Sequence, residues 1–519
     1  MSDLLVSQGR DPKRWLVLLA CTVATLMVTI DSGILNLVIP AIQAEFNPSQ
    51  SSISLLSSIS TLMLAAFILG GGTLGDLYGR RRFILIGTAG ILAMALLSMV
   101  APSPGALIGL RALDGIFQAM VNPLVLAILT VTFEGEERPK ALGIYGASLG
   151  VMGGLSSLVV QFFNQAMGWR SVFLLVIGLG LLTLALMLGF VSESRAQGRR
   201  QLDLVGILLC AAGLLGLVYG VSQASGPGGL FSGAVMIPAL GGLGVLAVFI
   251  LWESRVPFPA LELSLFEKPA FSLGCLLVLL LSFGQTGTFF HLSNYFQVLL
   301  RQSPVQSALM LLPLTLSLFG FSIMAGPLVN RFSVRTLTVA GTVAFALGLF
   351  LFSRLVNPDL TIWTMLLPML LLGAGYSVAN IPRMNALLSS APPNLAGTAS
   401  ATNNAAVQLG NALGIAVTVA LVTTFGRNYY LGELRDAGLT PEQISRVNDL
   451  LQRLLKSDLP SISAQFAVPV HQLQGLVGNY QAAFTTGVAQ MFLVSAIALL
   501  LSAIVLWFGL RSEARPGSP

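Results

Sequence analysis

Fourteen apolar runs, each long enough to cross a lipid bilayer, dictate what this 519-residue chain folds into. A hydrocarbon core about 30 Å thick takes roughly 20 residues of helix, and no water lies inside it to satisfy an unpaired backbone. The runs fall at 15–40, 52–75, 83–101, 105–131, 141–163, 171–191, 203–222, 231–252, 270–297, 305–328, 334–355, 360–384, 397–425 and 487–510. Only 9% of the residues are charged and 55% are hydrophobic, whereas soluble domains carry about 25% charged residues. The expected class is an all-α membrane protein with fourteen transmembrane helices. Cys21, Cys210 and Cys275 all lie within apolar runs, so no disulfide framework is implied. The segment from Trp15 is too long for a signal-peptide core and lacks a small-residue cleavage site, so no cleavable signal is expected.

An even number of spans puts both termini on one side, and short cytoplasmic loops are enriched in Lys and Arg. With the termini inside, eighteen of the 27 basic residues fall on cytoplasmic segments or adjacent span ends, among them Arg80, Arg81, Arg82, Arg138, Lys140 and Arg383. The short outer loops hold Arg170, Arg301 and Arg354. The net charge of +6 is therefore a topology signal, and no nucleic-acid partner is implied. The expected location is the plasma (inner) membrane, as a multi-pass protein with cytoplasmic termini and the bilayer as its surroundings.

An internal repeat organises the spans. At an offset of 254 residues, Gly72-Thr-Leu-Gly-Asp76-Leu-Tyr-Gly79-Arg80-Arg81 aligns with Gly326-Pro-Leu-Val-Asn330-Arg-Phe-Ser-Val-Arg335, and Gly143 aligns with Gly397. Spans 2–5 then lie over spans 10–13, leaving spans 7 and 8 as an inserted pair. The expected organisation is an N-terminal six-helix bundle (1–191), two inserted helices with linkers (192–269) and a C-terminal six-helix bundle (270–519) that includes an outer loop at 426–486. Related halves around a central site suit alternating access.

Charged side chains inside such spans carry the functional signal. A carboxylate at the centre of a membrane helix costs roughly 2.5–3.5 kcal/mol on insertion scales and ordinarily faces a cavity. Asp31 lies nine residues from Pro40, and Asp114 nine residues from Gly105, each about 13 Å from the outer end of its span. Arg111, three residues before Asp114, shares its helical face. Burial favours a neutral acid, while a nearby guanidinium favours the ion. Asp31, without a cation close in sequence, is thus the better candidate to bind and release a proton, and Asp114 is expected to stay ionised more readily.

Gly72-x-Leu74-x-Asp76-x-x-Gly79-Arg80-Arg81 resembles the cytoplasmic loop signature of the major facilitator superfamily. Asp31-x-x-x-x-Asn36-x-x-x-Pro40, like the span count, is similar to a feature of its fourteen-helix drug:proton antiporter branch. The resemblance covers nearly the whole chain. It implies a major-facilitator-like fold in which spans 1 and 4 line the cavity, so that Asp31, Arg111 and Asp114 share one pocket. It implies proton-coupled efflux of lipophilic or cationic amphipathic compounds, driven by a proton gradient with no bound cofactor, and a role in drug resistance. Export of an endogenous lipid or metabolite is the alternative. Gly72 and Gly79 permit close approach and a tight turn, and Asp76 can latch one conformation through a neighbouring Arg or a helix N-terminus. Two departures stand out. Span 4 reads Arg111-Ala-Leu-Asp114-Gly115 where the family has Arg-x-x-Gln-Gly, and span 5 reads Gly153-Gly154-Leu155-Ser156-Ser157-Leu158 where antiporters have Gly-Pro-x-x-Gly-Gly.

Span 9 adds polar and aromatic residues suited to an amphipathic ligand; Phe289, His291, Asn294 and Tyr295 join Asp31 and Asp114 as candidate substrate contacts. Asn403, Asn404, Gln408 and Asn411 of span 13 suit interhelical hydrogen bonding. In the outer loop, Thr440-Pro441-Glu442-Gln443 marks a helix start, followed by an apolar stripe from Ile444 to Leu455. That stripe fits the bilayer surface, the transporter or an accessory protein. No metal-ligand cluster, phosphate loop or nucleophile-base set points to an enzyme.

Overall fold

A computed structural model describes residues 13–48, 50–135, 137–195, 202–223, 232–300, 302, 304–329, 331–357, 361–392, 395–436 and 470–509. Every extended element among them is helical: α1 (Arg14–Phe46), α2 (Gln50–Tyr78), α3 (Arg80–Met99), α4 (Pro104–Thr132), α5 (Glu137–Met167), α6 (Phe173–Phe190), α7 (Leu204–Ser222), α8 (Gly233–Glu253), α9 (Pro269–Asn294), α10 (Pro304–Met310), α11 (Leu312–Leu328), α12 (Val334–Leu355), α13 (Ile362–Ser390), α14 (Ala396–Asp436) and α15 (Val470–Gly509). Twelve are long and apolar enough to cross a membrane. The remaining two expected crossings are α5 and the α10–α11 pair, which pack against each other. Large apolar side chains such as Leu181, Ile237, Leu251 and Phe508 point outward, where a bilayer would cover them.

Local chemistry sets the ends and breaks of these helices. Ser103 accepts from the Ala106 amide ahead of Pro104, and Ser333 caps α12 through Thr336 in the same way. Thr361 and Thr364 form a reciprocal capping box at the start of α13. A π turn at Tyr295–Leu299 ends α9, and α11 restarts after Leu311 with Pro313 in its first turn.

The glycines aligned by the sequence repeat lie at close helix crossings. Helices α2 and α14 cross where Gly72 has no side chain; a Cβ there would lie 2.6 Å from the Ala401 Cβ and 2.8 Å from the Gly397 carbonyl. The matching glycines make the equivalent crossing of α5 and α11. A Cβ on Gly143 would sit 2.7 Å from the Ser322 carbonyl and 3.5 Å from Gly326, and one on Gly326 would sit 2.6 Å from the Pro139 carbonyl. Gly72 therefore meets Gly397, and their counterparts Gly326 and Gly143 meet each other. Both crossings lie toward the end of the molecule marked by Gly79. There Ser400 of α14 also donates to the Pro123 carbonyl of α4 at 2.6 Å. Helices α7 and α8 form a close hairpin around Gly216, Gly220 and Gly242 that leans on α2 and α14.

The outer loop differs from its sequence reading. Helices α14 and α15 have 41 and 40 residues, about 60 Å each, so both run well past a 30 Å core. Tyr430 and Leu434 of α14 pack on Ala483 of α15, because helix continues where hydropathy fades. Asn330 and the stripe after Thr440 lie outside the described residues.

Gly72→Val is expected to drive α2 off α14. In a Ser400→Cys background, labelling of that buried position by an impermeant maleimide from the Gly79 end should rise about tenfold, a population shift of about 1.4 kcal/mol. Unchanged labelling would show that this crossing does not hold the end closed.

Candidate functional site

Arg111 of α4 is the centre of a sealed polar network between α1, α2 and α4. Its Nη1 lies 2.8 Å from Asp31 Oδ1 and 2.9 Å from Asp114 Oδ2, and its Nη2 donates to the Asp31 carbonyl at 2.6 Å. Gln118, one turn beyond Asp114, donates through Nε2 to Asp31 Oδ2 at 2.6 Å and to Asp114 Oδ2 at 2.8 Å. Ser32 donates to the Gln118 carbonyl oxygen at 2.7 Å, and Ser60 of α2 donates to Asp114 Oδ2 at 3.2 Å. Exposure is 0% for Asp31, 1% for Asp114 and 2% for Arg111.

This geometry brings Asp31, Arg111 and Asp114 together and supplies Asp31 with the cation that it lacks close in sequence. Asp31 has the guanidinium on one carboxylate oxygen and the Gln118 amide on the other. Its cation comes from 80 residues away in the chain. Asp114, despite its cation at i−3, keeps one buried oxygen, Oδ1, with no hydrogen-bond partner. Two ionised acids and one guanidinium leave a net negative charge in a space where each unbalanced ion costs several kcal/mol. The acids share both a guanidinium nitrogen and an amide nitrogen, so the charge on one acts directly on the other.

A second site joins α2 and α14 at the Gly79 end. Asp76 Oδ1 accepts from Arg80 Nε and Nη2 at 3.0 and 2.7 Å. The same carboxylate accepts from the backbone amides of Gly397 and Thr398 at 3.1 and 2.9 Å. It therefore takes both partners that the sequence offered, an arginine and the N-terminus of a helix, and the helix is α14. Gly79 has φ +116°, a backbone region natural to glycine, and a Cβ there would press on the Glu193 carboxylate. That carboxylate accepts from the Arg81 and Arg82 amides, both at 3.1 Å. The Arg81 guanidinium donates to the Met187 and Leu188 carbonyls at the end of α6.

The span-9 candidates are dispersed. Phe289 lines a narrow cleft with Gln285, Thr288 and Tyr376. His291 is buried, with Nε2 3.0 Å from the Thr418 hydroxyl of α14. Asn294 donates to the Phe290 carbonyl of its own helix at 3.0 Å. Tyr295 is fully buried in the core around α12 and α15, its hydroxyl donating to the Asn357 carbonyl. In α14, Asn403 and Asn411 accept from Arg383 and Thr286, both at 2.8 Å, as interhelical partners. Gln118 and Ser60 were not among the expected site residues. Gln118 was within reach, since it lies at i+7 from Arg111 on the same helical face.

The family model described as the major facilitator superfamily matches residues 21–415. The chain belongs to the major facilitator superfamily. It is 35% identical to the puromycin resistance protein pur8 of Streptomyces alboniger over 84% of this chain and 86% of that protein. It is 30% identical to the multidrug efflux pump LfrA of Mycolicibacterium smegmatis over 97% and 98%. The proton:xylose symporter XylE, 15% identical, superposes with a TM-score of 0.60 over 96% of each chain, which shows the shared fold. This superfamily member is a multi-pass membrane protein.

Asp76→Ala leaves the buried Arg80 without its carboxylate and uncaps α14. The expected loss is about 3–5 kcal/mol, read as a lower unfolding temperature in detergent. Adding Arg80→Met should recover part of it, because the stranded charge is gone. No recovery in the double variant would mean that the ion pair contributes little.

Proposed function

We propose that this protein is a proton-coupled exporter of lipophilic or cationic amphipathic compounds. Its organisation would be two six-helix bundles, 1–191 and 270–519, with 192–269 inserted, and the Gly79 end and both termini would face the cytoplasm. The observation that carries the reading is the buried network in which Arg111 bridges Asp31 and Asp114. With one proton, the network is neutral and stable when sealed. Without it, the network holds a negative charge that a cationic substrate can balance. Proton and substrate then compete for one site, which is how exchange between them is coupled.

Asp31 organises the network and its charge drives the coupling, while the unpartnered Oδ1 of Asp114 is where the proton rests. Asp76 acts as the gate. It closes the Gly79 end while its carboxylate caps α14, and the end opens when α2 leaves that helix. The protein works as a carrier on small molecules and leaves their covalent bonds intact. The names of pur8 and LfrA support drug export. Export of an endogenous lipid or metabolite is the competing reading, and substrate-dependent proton flux in proteoliposomes with each class of compound separates the two.

Asp31→Asn should lower pH-dependent efflux of a cationic dye at least tenfold. Asp114→Gln should reduce cation export more than export of neutral compounds, with the remaining transport less dependent on pH. Full pH-dependent transport by Asp31→Asn would overturn the coupling role.

A further inference from the structure

The C-terminal half buries a guanidinium of its own. Arg383 of α13 is 3% exposed. It donates to the Gly274 carbonyl of α9 at 3.1 Å, to Asn403 Oδ1 of α14 at 2.8 Å and to Asn380 Oδ1 at 2.7 Å. All three acceptors are neutral. Its Nε has no hydrogen-bond partner, and no ion pair to a carboxylate is formed by Arg383 among the described residues. The sequence reading placed Arg383 with the residues that fix topology. The structure adds that it is buried inside the helical bundle, seven residues from the end of α13. Gly274 and Asn403 lie five and seven residues into α9 and α14, so the group sits about 8–11 Å in from the Gly79 end.

A buried cation without an anion is costly, and intramembrane cations ordinarily line a pathway or pair with a ligand. The surroundings fit a pathway. Ile381, Met384 and Leu387 share an apolar cluster with Ala141, Leu142 and Tyr145 of α5. This floor parts if α5 moves off α13. Asn380, which accepts from the guanidinium, is only partly buried.

We propose that Arg383, with Asn380 and Asn403, binds the anionic group of an amphipathic substrate, a carboxylate or phenolate, as it enters from the Gly79 end. This rests on the export reading. A guanidinium offers a planar fork of N–H donors that fits a carboxylate with two parallel bonds, and a substrate anion supplies the charge that the three amide oxygens lack. The two halves are thereby complementary. The α1–α4 network receives positive charge, Arg383 receives negative charge, and zwitterionic amphiphiles satisfy both.

The test uses the purified full chain in proteoliposomes, with ethidium as the cationic probe and fluorescein as the anionic one. Arg383→Gln should lower the ratio of fluorescein to ethidium transport at least tenfold, and Arg383→Lys should restore part of it. An unchanged ratio, a proportional fall in both rates, or a wild type that moves ethidium but not fluorescein would overturn the proposal. A second measurement does not depend on the Gln variant folding. With Cys21 and Cys210 replaced by Ser, fluorescein should protect Cys275, next to Gly274, from maleimide labelling, and ethidium should not. Equal protection by both, or by neither, would overturn the site. If the wild type moves neither dye, the export reading fails, and the labelling result still decides whether Arg383 binds an anion.

Discussion

One guanidinium held between two acids sets the terms for the rest of the molecule. Arg111 cannot sit in a low-dielectric interior without counter-charge, and Asp31 and Asp114 together supply more than it needs. The excess is a single negative charge with no escape to water in this conformation. On the proposed coupling a proton or a cationic ligand balances it, so occupancy of the site and stability of the sealed state would be linked by the same energy. Gln118 tightens that link by bonding both acids through one amide nitrogen, which leaves little room for either to relax alone.

The proposed exchange needs helices that move as bodies, and the crossings at the Gly79 end suit such motion. Bare glycines let α2 meet α14 and α5 meet α11 at backbone distance, so each contact is made or lost over a small displacement. Asp76 adds a directional bond, since the amides of Gly397 and Thr398 are satisfied by it only when α14 is seated. Close packing alone would be nonspecific. The capped helix end gives the closed arrangement a defined register.

The sequence made some of this legible and concealed the rest for physical reasons. Span positions were readable because lipid burial demands a continuous apolar run, and that signal is local. The pairing of Gly72 with Gly397 was implicit in the repeat, because the matched residues occupy equivalent places in two related halves. The partner of Asp31 was hidden, as sequence proximity says nothing of a guanidinium 80 residues away. The burial of Arg383 was hidden because the distance to a helix end does not reveal which face a residue occupies. Tyr295 looked like a ligand contact, yet an aromatic with a polar tip is equally suited to a core position with one hydrogen bond, and that is where it sits. The reach of α14 and α15 past the membrane was missed because hydropathy ends before helix does.

The most direct test of the shared charge is proton release on substrate binding. Purified wild-type protein in weakly buffered detergent solution should release a single proton per bound cationic substrate as the pair of acids gives it up. Asp114→Asn should bind more weakly and release none. Equal proton release from wild type and Asp114→Asn, or none from either at saturating substrate, would contradict an exchange of proton and cation at the Asp31–Arg111–Asp114 network.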